Sequence, residues 1–125
     1  MRVLLNGVGR IGKAILRIAE SRDDFTIVAI NELNTNVKNI AYSINYDSTY
    51  GKIKDKYKVS EASIVNQKNS IKIFNSINLF DIDLDGNNID IIIDASGSKI
   101  DLNYVRELKN IPLYLTHPNI HAEIN

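Results

Sequence analysis

The sequence predicts an α/β fold, a doubly wound and mostly parallel sheet with an inserted antiparallel meander. Short apolar segments at residues 1–6, 25–30 and 89–93 are typical of strands covered on both faces. A glycine-rich turn and a segment of helical periodicity separate the first two of these segments. The middle of the chain alternates with the two-residue period of half-exposed strands. With 125 residues, we expect one domain, residues 1–125.

The first three elements predict a βαβ unit. Residues 1–6 (MRVLLN) are apolar and end at a glycine, as expected of a buried strand. Apolar residues then recur every three to four positions from Ile11, which predicts a helix that ends near Ser21 and Arg22. Residues 25–30 (FTIVAI) predict the second strand. Two strands joined through a helix in this way are expected to be parallel, with a right-handed crossover.

The middle of the chain predicts a short helix followed by the meander. Residues 36–45 place apolar side chains on one helical face. From residue 52 onward charged and apolar residues alternate, and this predicts an antiparallel edge strand with an exposed face of lysines. Further short antiparallel strands are expected at residues 64–65 and 71–73. The lysines of the predicted edge strand are Lys52, Lys54, Lys56 and Lys58, and its apolar residues are Ile53, Tyr57 and Val59.

The last third of the chain predicts two strands and one helix. Residues 89–93 form a fully apolar strand that ends at Asp94. Asp101 predicts the N-cap of a helix over the residues that follow it. Residues 111–115 predict the last strand.

Charge and composition exclude several classes of function. The 15 basic and 15 acidic residues leave no net charge, which argues against a nucleic-acid partner because phosphate neutralisation needs an excess of Lys and Arg. No apolar run approaches the roughly 18 residues that cross a bilayer, and the amino terminus lacks a signal-peptide pattern. We therefore expect a cytoplasmic protein with no membrane partner. The absence of cysteine excludes a thiolate nucleophile within these residues.

The turn GVGRIG after the first predicted strand has the form G-x-G-x-x-G and opens a predicted helix, the context of a dinucleotide-binding turn. Gly7 is expected to make the tight turn, Gly9 to let a pyrophosphate approach, and Gly12 to let the helix pack on the sheet. Backbone N–H groups of Gly9, Arg10 and Ile11 would hold the pyrophosphate at the positive end of the helix.

Glu32 stands twenty residues after Gly12, at the end of the second predicted strand. A carboxylate there can accept hydrogen bonds from both hydroxyls of an adenosine ribose, and it repels a 2′-phosphate, which favours NAD over NADP. The alternative is a glycine-rich turn without a ligand and a solvated glutamate. The strand, the helix and the interval to the acid favour a Rossmann-type fold that binds NAD.

Two patterns resemble metal sites without completing one. Residues 81–86 (DIDLDG) match the first half of a calcium-binding loop, but the position that needs a bidentate glutamate is Ile92, inside a predicted strand. His117 and His121 have the spacing of metal ligands on a helix, but they lie in a predicted loop and no third ligand is evident. The sequence therefore predicts no metal site.

Three segments resemble the amino-terminal half of glyceraldehyde-3-phosphate dehydrogenase: NGVGRIG (6–12), AINE (29–32) and YDSTYGK (46–52). The pattern of that family runs NGFGRIG, AIND and YDSTHGK, and the resemblance covers essentially the whole chain. DASG (94–97) corresponds to the family's turn after the fourth strand, and LTHP (115–118) corresponds to its I-S-A-P segment.

The resemblance implies the NAD-binding domain of an enzyme that oxidises an aldehyde phosphate with a cysteine, a histidine, NAD and inorganic phosphate. It implies that nine residues contact the dinucleotide. These are Asn6, Gly7, Gly9, Arg10 and Ile11 at the phosphates, Glu32 in place of an aspartate at the ribose, and Ser96, Gly97 and Thr116 towards the nicotinamide. The arginine that the family often has shortly after the strand ending at Phe74 is absent, so we expect measurable but weak NAD affinity.

The family's catalytic cysteine would follow residue 125, so the chain is expected to lack the catalytic domain and to be inactive alone. The aldehyde-phosphate substrate would then bind only together with that domain. One alternative is a stand-alone nucleotide-binding or interaction module without catalysis. Another is the cofactor domain of an erythrose-4-phosphate dehydrogenase, which shares these motifs. A homo-oligomer is compatible with the family resemblance.

Overall fold

The computed structural model describes residues 1–33, 35–47, 49, 53–97 and 111–116. Their elements in chain order are β1 (Arg2–Asn6), α1 (Arg10–Glu20), β2 (Thr26–Asn31), α2 (Val37–Asn45), β3 (Lys58–Ser60), β4 (Ser63–Val65), β5 (Ser70–Phe74), β6 (Ile91–Asp94) and β7 (Leu113–Leu115). A 3₁₀ turn at Leu79–Asp81 lies between β5 and β6. The helix predicted from Asp101 lies outside the described residues.

The strands of the described part form one mixed sheet in the order β3-β4-β5-β2-β1-β6-β7. The pairs β5·β2, β2·β1, β1·β6 and β6·β7 are parallel, and the pairs β3·β4 and β4·β5 are antiparallel. The last strand of the meander, β5, thus also extends the parallel sheet through its pairing with β2. This arrangement confirms the predicted Rossmann-type α/β fold with an inserted meander.

The central strands are buried on both faces, as their continuous apolar sequences predict. In β1, Val3 and Leu5 pack with the cluster that includes the buried residues of α1 and α2. The intervening Leu4 packs in a second cluster with Ile92 of β6 and with apolar residues of the segment after β5. Because successive side chains of a strand point to opposite faces, one strand contributes to both clusters.

Helix α1 has the predicted position, but its buried face is shifted relative to the apolar pattern. Gly12, Leu16 and Ala19 are the buried residues of the helix. Ile11 and Ile18 are 47% and 54% exposed, although both belong to the apolar series that predicts the helix. Neither helix in the described residues has the length and apolarity that a membrane crossing requires.

The prediction of an edge strand that begins at residue 52 is wrong for its first half. Strand β3 begins only at Lys58, which is exposed at the edge of the sheet. Lys54 and Lys56 precede β3, and residue 52 lies outside the described residues. Val59, expected on the covered side of this strand, is 40% exposed. The alternating pattern therefore continues across a segment that does not pair as a strand.

Candidate cofactor site

The carboxyl ends of parallel strands bring the predicted site residues to one edge of the sheet. The strand order places β2, β1, β6 and β7 side by side. The glycine turn follows β1, Glu32 follows β2, and Ser96 and Thr116 lie just beyond β6 and β7. Open parallel sheets bind their ligands at this edge. The topology therefore gathers residues that are up to 110 positions apart, Asn6 and Thr116, into one region.

Gly7 has a backbone conformation and surroundings that exclude a side chain. Its φ is +96°, in the region that favours glycine. A Cβ at this position would lie 2.6 Å from the Cα of Ser96 and 2.9 Å from the carbonyl carbon of Ala95. The backbone N–H of Gly7 donates to the carbonyl of Asn31 at 2.8 Å. The turn after β1 is thus held between the ends of β2 and β6.

Gly9 and Gly12 have different surroundings. A Cβ at Gly12 would collide with the carbonyl oxygen of Gly7, so this glycine lets α1 pack against the turn. A Cβ at Gly9 would meet no heavy atom within 4 Å. The space beside Gly9 is therefore open at the start of α1, as the approach of a phosphate requires.

Helix α1 begins with backbone donors that the helix itself does not use. Gly9 is its N-cap and provides no side-chain cap. The N–H of Lys13 donates to the carbonyl of Gly9 at 2.9 Å, so the N–H groups of Arg10 and Ile11 precede the first helical hydrogen bond. The first turn also contains no acidic residue. These donors and the helix dipole favour an anion at this position.

Glu32 is joined directly to the glycine turn. Its Oε2 accepts a hydrogen bond from the backbone N–H of Val8 at 2.8 Å. Its own backbone is held on both sides, because its N–H donates to the carbonyl of Phe74 at 2.9 Å and its carbonyl accepts from Nδ2 of Asn75 at 2.6 Å. The carboxylate is therefore oriented towards the turn, next to the start of α1.

Polar side chains at the ends of three adjacent strands form a chain of hydrogen bonds beneath the site. Asn31 donates from Nδ2 to Oδ1 of Asn6 at 3.0 Å. Asn6 in turn donates from Nδ2 to Oδ1 of Asp94 at 2.9 Å. Asn31 is 3% exposed and Asp94 is fully buried. Buried polar groups need hydrogen-bond partners, so these three side chains fix the ends of β2, β1 and β6 relative to one another.

Ser96 and Thr116 are both bonded to Asp94. Oδ1 of Asp94 accepts hydrogen bonds from Oγ of Ser96 at 2.7 Å and from its N–H at 3.3 Å. The main-chain carbonyl of Asp94 accepts from Oγ1 of Thr116 at 2.8 Å. Gly97 follows Ser96 with a φ of +74°. The loop after β6 and the end of β7 are thus brought together at the strand end that Asp94 occupies.

The sequence pattern in residues 81–86 that resembles a calcium-binding loop forms no metal site in the part of the chain that the structure describes. Oδ1 of Asp83 accepts from the N–H of Gly86 at 2.9 Å, so the carboxylate closes the turn in residues 81–86. Within the described ranges, no group of three or more His, Asp or Glu residues could hold a metal ion. His117 and His121 lie outside those ranges.

Comparison with known proteins identifies the family. The family model described as glyceraldehyde 3-phosphate dehydrogenase, NAD binding domain, matches residues 1–102. The chain belongs to this family. The glyceraldehyde-3-phosphate dehydrogenase family accounts for the resemblance of residues 6–12, 29–32 and 46–52, and NAD is the cofactor of its amino-terminal domain.

Several curated members of the glyceraldehyde-3-phosphate dehydrogenase family are similar to the chain. Glyceraldehyde-3-phosphate dehydrogenase 1 of Candida glabrata is 36% identical over 97 residues, 78% of this chain and 29% of that protein. A chloroplastic relative from Arabidopsis thaliana is 47% identical over 62 residues, 50% of this chain and 15% of that protein. The enzyme of Haemophilus influenzae is 31% identical over 97 residues, 78% of this chain and 28% of that protein. The chain thus spans less than a third of the length of these relatives.

The nine residues predicted to contact the dinucleotide lie at the same edge of the sheet, and two polar residues outside the prediction, Asn31 and Asp94, are hydrogen-bonded at that edge. Asn31 and Asp94 bind the side chain of Asn6 from either side. Each is a polar residue that closes a strand of apolar residues. A polar residue that ends an apolar strand segment is the feature of the sequence that marks both positions.

Proposed function

We propose that the chain binds NAD at the edge formed by the carboxyl ends of β2, β1, β6 and β7. In this proposal the pyrophosphate binds the N–H groups of Gly9, Arg10 and Ile11. Glu32 binds the adenosine ribose, and Ser96, Gly97 and Thr116 lie towards the nicotinamide. The hydrogen bond from Val8 N–H to Oε2 of Glu32 carries the proposal, because it joins the phosphate-binding turn to the ribose acceptor.

The geometry of Glu32 supports a preference for NAD over NADP. Oε2 accepts one hydrogen bond from the turn, so the carboxylate keeps acceptor sites on both of its oxygens for the ribose hydroxyls. A 2′-phosphate would meet this carboxylate at short range and would be repelled. Ionised acceptors form stronger hydrogen bonds than neutral ones, so the charge of Glu32 also contributes to the affinity for NAD.

We further propose that the whole protein is an NAD-dependent dehydrogenase that acts on glyceraldehyde 3-phosphate as a homo-oligomer in the cytoplasm. The name that the curated relatives share supports the activity, and the name of the cytosolic relative from Trypanosoma brucei brucei supports the compartment. The 125 residues contain no cysteine, so a thiol nucleophile is not among them. In this proposal they bind the cofactor, and aldehyde-phosphate binding requires further chain. Activity, sedimentation and fractionation measurements on the whole protein test these three points.

Calorimetric titration of the chain with NAD and NADP tests the binding mode. Glu32→Ala is expected to weaken NAD binding by about 1–3 kcal/mol, because the ribose hydroxyls and the Val8 N–H lose their acceptor. Glu32→Gln keeps an acceptor for Val8 and removes the charge, so it is expected to weaken NAD binding less and to reduce the preference over NADP.

Glu61→Gln is the matched control, because Glu61 is an exposed acid in the turn between β3 and β4. It is expected to leave both affinities unchanged. The proposal fails if the unmodified chain binds no NAD at millimolar concentration. It also fails if Glu32→Ala binds NAD as tightly as the unmodified chain does.

A further inference from the structure

Asn75 joins the end of β5 to the main chain that follows β2. Its Nδ2 donates to the carbonyl of Glu32 at 2.6 Å and to the carbonyl of Thr35 at 3.0 Å. Asn75 comes directly after β5, and it is exposed. An amide nitrogen carries two N–H groups, so this one side chain can hold both carbonyls at once. The sequence patterns assign Asn75 no role.

We propose that Asn75 is a positioning residue, which fixes the main chain at Glu32 and thereby sets how strongly the Glu32 carboxylate binds the 2′-hydroxyl of the adenosine ribose. The inference rests on the proposed function, since Glu32 is the ribose acceptor in that proposal. Asn75 acts through the Glu32 main chain, to which its side chain is bonded.

The hydrogen bond from Asn75 begins where the pairing of β2 with β5 stops. The last residues paired in this register are Asn31 and Phe74. The N–H of Glu32 still donates to the carbonyl of Phe74, at 2.9 Å. The carbonyl of Glu32 lies beyond the paired residues and accepts from Asn75. A side chain therefore continues, at Glu32, the attachment that the strand pairing provides up to Asn31.

The main chain on both sides of Asn75 is itself held in place. Before it, the carbonyl of Phe74 accepts from Glu32. After it, the N–H of Ser76 donates to Oδ1 of Asn31 at 2.8 Å, and the carbonyl of Ser76 accepts from Nδ2 of Asn31 at 3.0 Å. Asn31 is 3% exposed, so water competes little for these two bonds. Asn75 therefore donates to Glu32 from a fixed position.

The position of the Glu32 main chain matters because its carboxylate has two tasks. Oε2 accepts from the N–H of Val8 at 2.8 Å, and in the proposed function the same carboxylate also binds the ribose. Hydrogen bonds weaken steeply outside a narrow range of distance and angle. A shift of about 1 Å in the Glu32 main chain is therefore expected to weaken the contact with the ribose hydroxyl.

The test compares ADP with 2′-deoxy-ADP as ligands of the 125-residue chain, because the two differ only in the hydroxyl that Glu32 is proposed to bind. In Asn75→Ala we expect the dissociation constant for ADP to rise about fivefold, while that for 2′-deoxy-ADP changes less than about twofold. A general loss of structure would weaken both ligands alike. Asn39→Ala, at an exposed asparagine of α2, is the matched control and is expected to change neither constant.

A double-mutant cycle with Glu32→Ala shows whether Asn75 acts through Glu32. In the Glu32→Ala background the carboxylate is gone, so adding Asn75→Ala is expected to change the dissociation constant for ADP by less than about twofold. Amide spectra of the free chain give a readout without ligand. In Asn75→Ala the N–H of Val8 is expected to shift, because its acceptor is the Glu32 carboxylate.

The inference is overturned if Asn75→Ala weakens ADP and 2′-deoxy-ADP equally, or if it leaves the affinity for ADP unchanged. It is also overturned if Asn75→Ala has its full effect on ADP in the Glu32→Ala background, or if the unmodified chain binds both ligands equally well. If the unmodified chain binds neither NAD nor ADP, the proposed function fails and the inference fails with it. Binding of NAD that depends on Glu32 keeps the proposed function, whatever the Asn75 variants do.

Discussion

The side chain of Asn45 pairs with both backbone polar groups of Tyr57. Nδ2 of Asn45 donates to the carbonyl of Tyr57 at 2.8 Å, and Oδ1 accepts from the N–H of Tyr57, also at 2.8 Å. Both residues are buried, at 7% and 3% exposure. The amide thus takes the place that a neighbouring strand would occupy, and it attaches the segment before β3 to the end of α2.

Asn45→Ala is expected to destabilise the chain by about 2–4 kcal/mol. The substitution leaves a buried N–H and a buried carbonyl of Tyr57 without partners, and each such loss costs about 1–3 kcal/mol. Denaturant unfolding measures the change. Asn39→Ala, at an exposed position of the same helix, is the matched control and is expected to change the free energy of unfolding by less than about 0.5 kcal/mol. Equal effects of the two substitutions would contradict this reading of Asn45.

Gly7→Ala and Gly9→Ala are expected to separate stability from cofactor binding. A methyl group at Gly7 would collide with the backbone of Ser96, and the φ of +96° at Gly7 disfavours any other residue. Gly7→Ala is therefore expected to lower the free energy of unfolding by about 1–3 kcal/mol or more. At Gly9 the φ of −71° suits any residue and a methyl group meets open space, so the stability is expected to change little. Thermal unfolding measures both effects.

The same pair of variants tests the open space beside Gly9. If a phosphate approaches there, Gly9→Ala is expected to weaken NAD binding by about tenfold or more while the chain stays folded. Titration of the folded variant with NAD measures this. Unchanged affinity would show that the cofactor does not approach the backbone at Gly9.

The order and type of the main elements are predictable because each has a local cause. The apolar segments of β1, β2 and β6 predict buried strands, and the glycine turn predicts the start of α1. The segment before β3 is not predictable in this way. Ile53 and Tyr57 are buried in alternation, but the partner of the Tyr57 backbone is a side chain twelve residues away. Alternation alone does not show whether a backbone pairs with a strand or with an amide.

The site is predictable to the extent that its residues form a local motif. The glycine turn and the interval to Glu32 are local features, and they predict the edge of the sheet where the site lies. The bonds from Asn6 to Asp94 and to Asn31 span 88 and 25 residues, so they depend on the strand order. No spacing rule within one segment predicts which strand follows which in the sheet.

Glu20 provides a pH-dependent contribution to stability at the end of α1, far along the helix from the glycine turn. Burial raises the pKa of its carboxyl above the usual 4.5, and the hydrogen bond from the Tyr57 hydroxyl at 3.2 Å opposes part of this rise. Burial also raises the pKa of Tyr57 to about 12, so this hydroxyl remains a donor at neutral pH. The folded chain therefore binds the Glu20 proton more tightly than the unfolded chain does.

Glu20→Gln is expected to gain stability relative to the unmodified chain as the pH rises. Protonated Glu20 contributes to the free energy of unfolding. This contribution is fully present below pH 4.5 and is lost as the pH rises through the raised pKa of Glu20 in the folded state. Glutamine does not ionise, and its oxygen still accepts from Tyr57, so the variant avoids this loss. Urea unfolding between pH 4 and pH 7 measures the difference in the free energy of unfolding between the two chains.

Tyr57→Phe removes the opposing hydrogen bond, so it is expected to raise the pKa of Glu20 further and to steepen the loss of stability with rising pH. If the difference in the free energy of unfolding between Glu20→Gln and the unmodified chain is the same at every pH in this range, then Glu20 has the same pKa in the folded and the unfolded state.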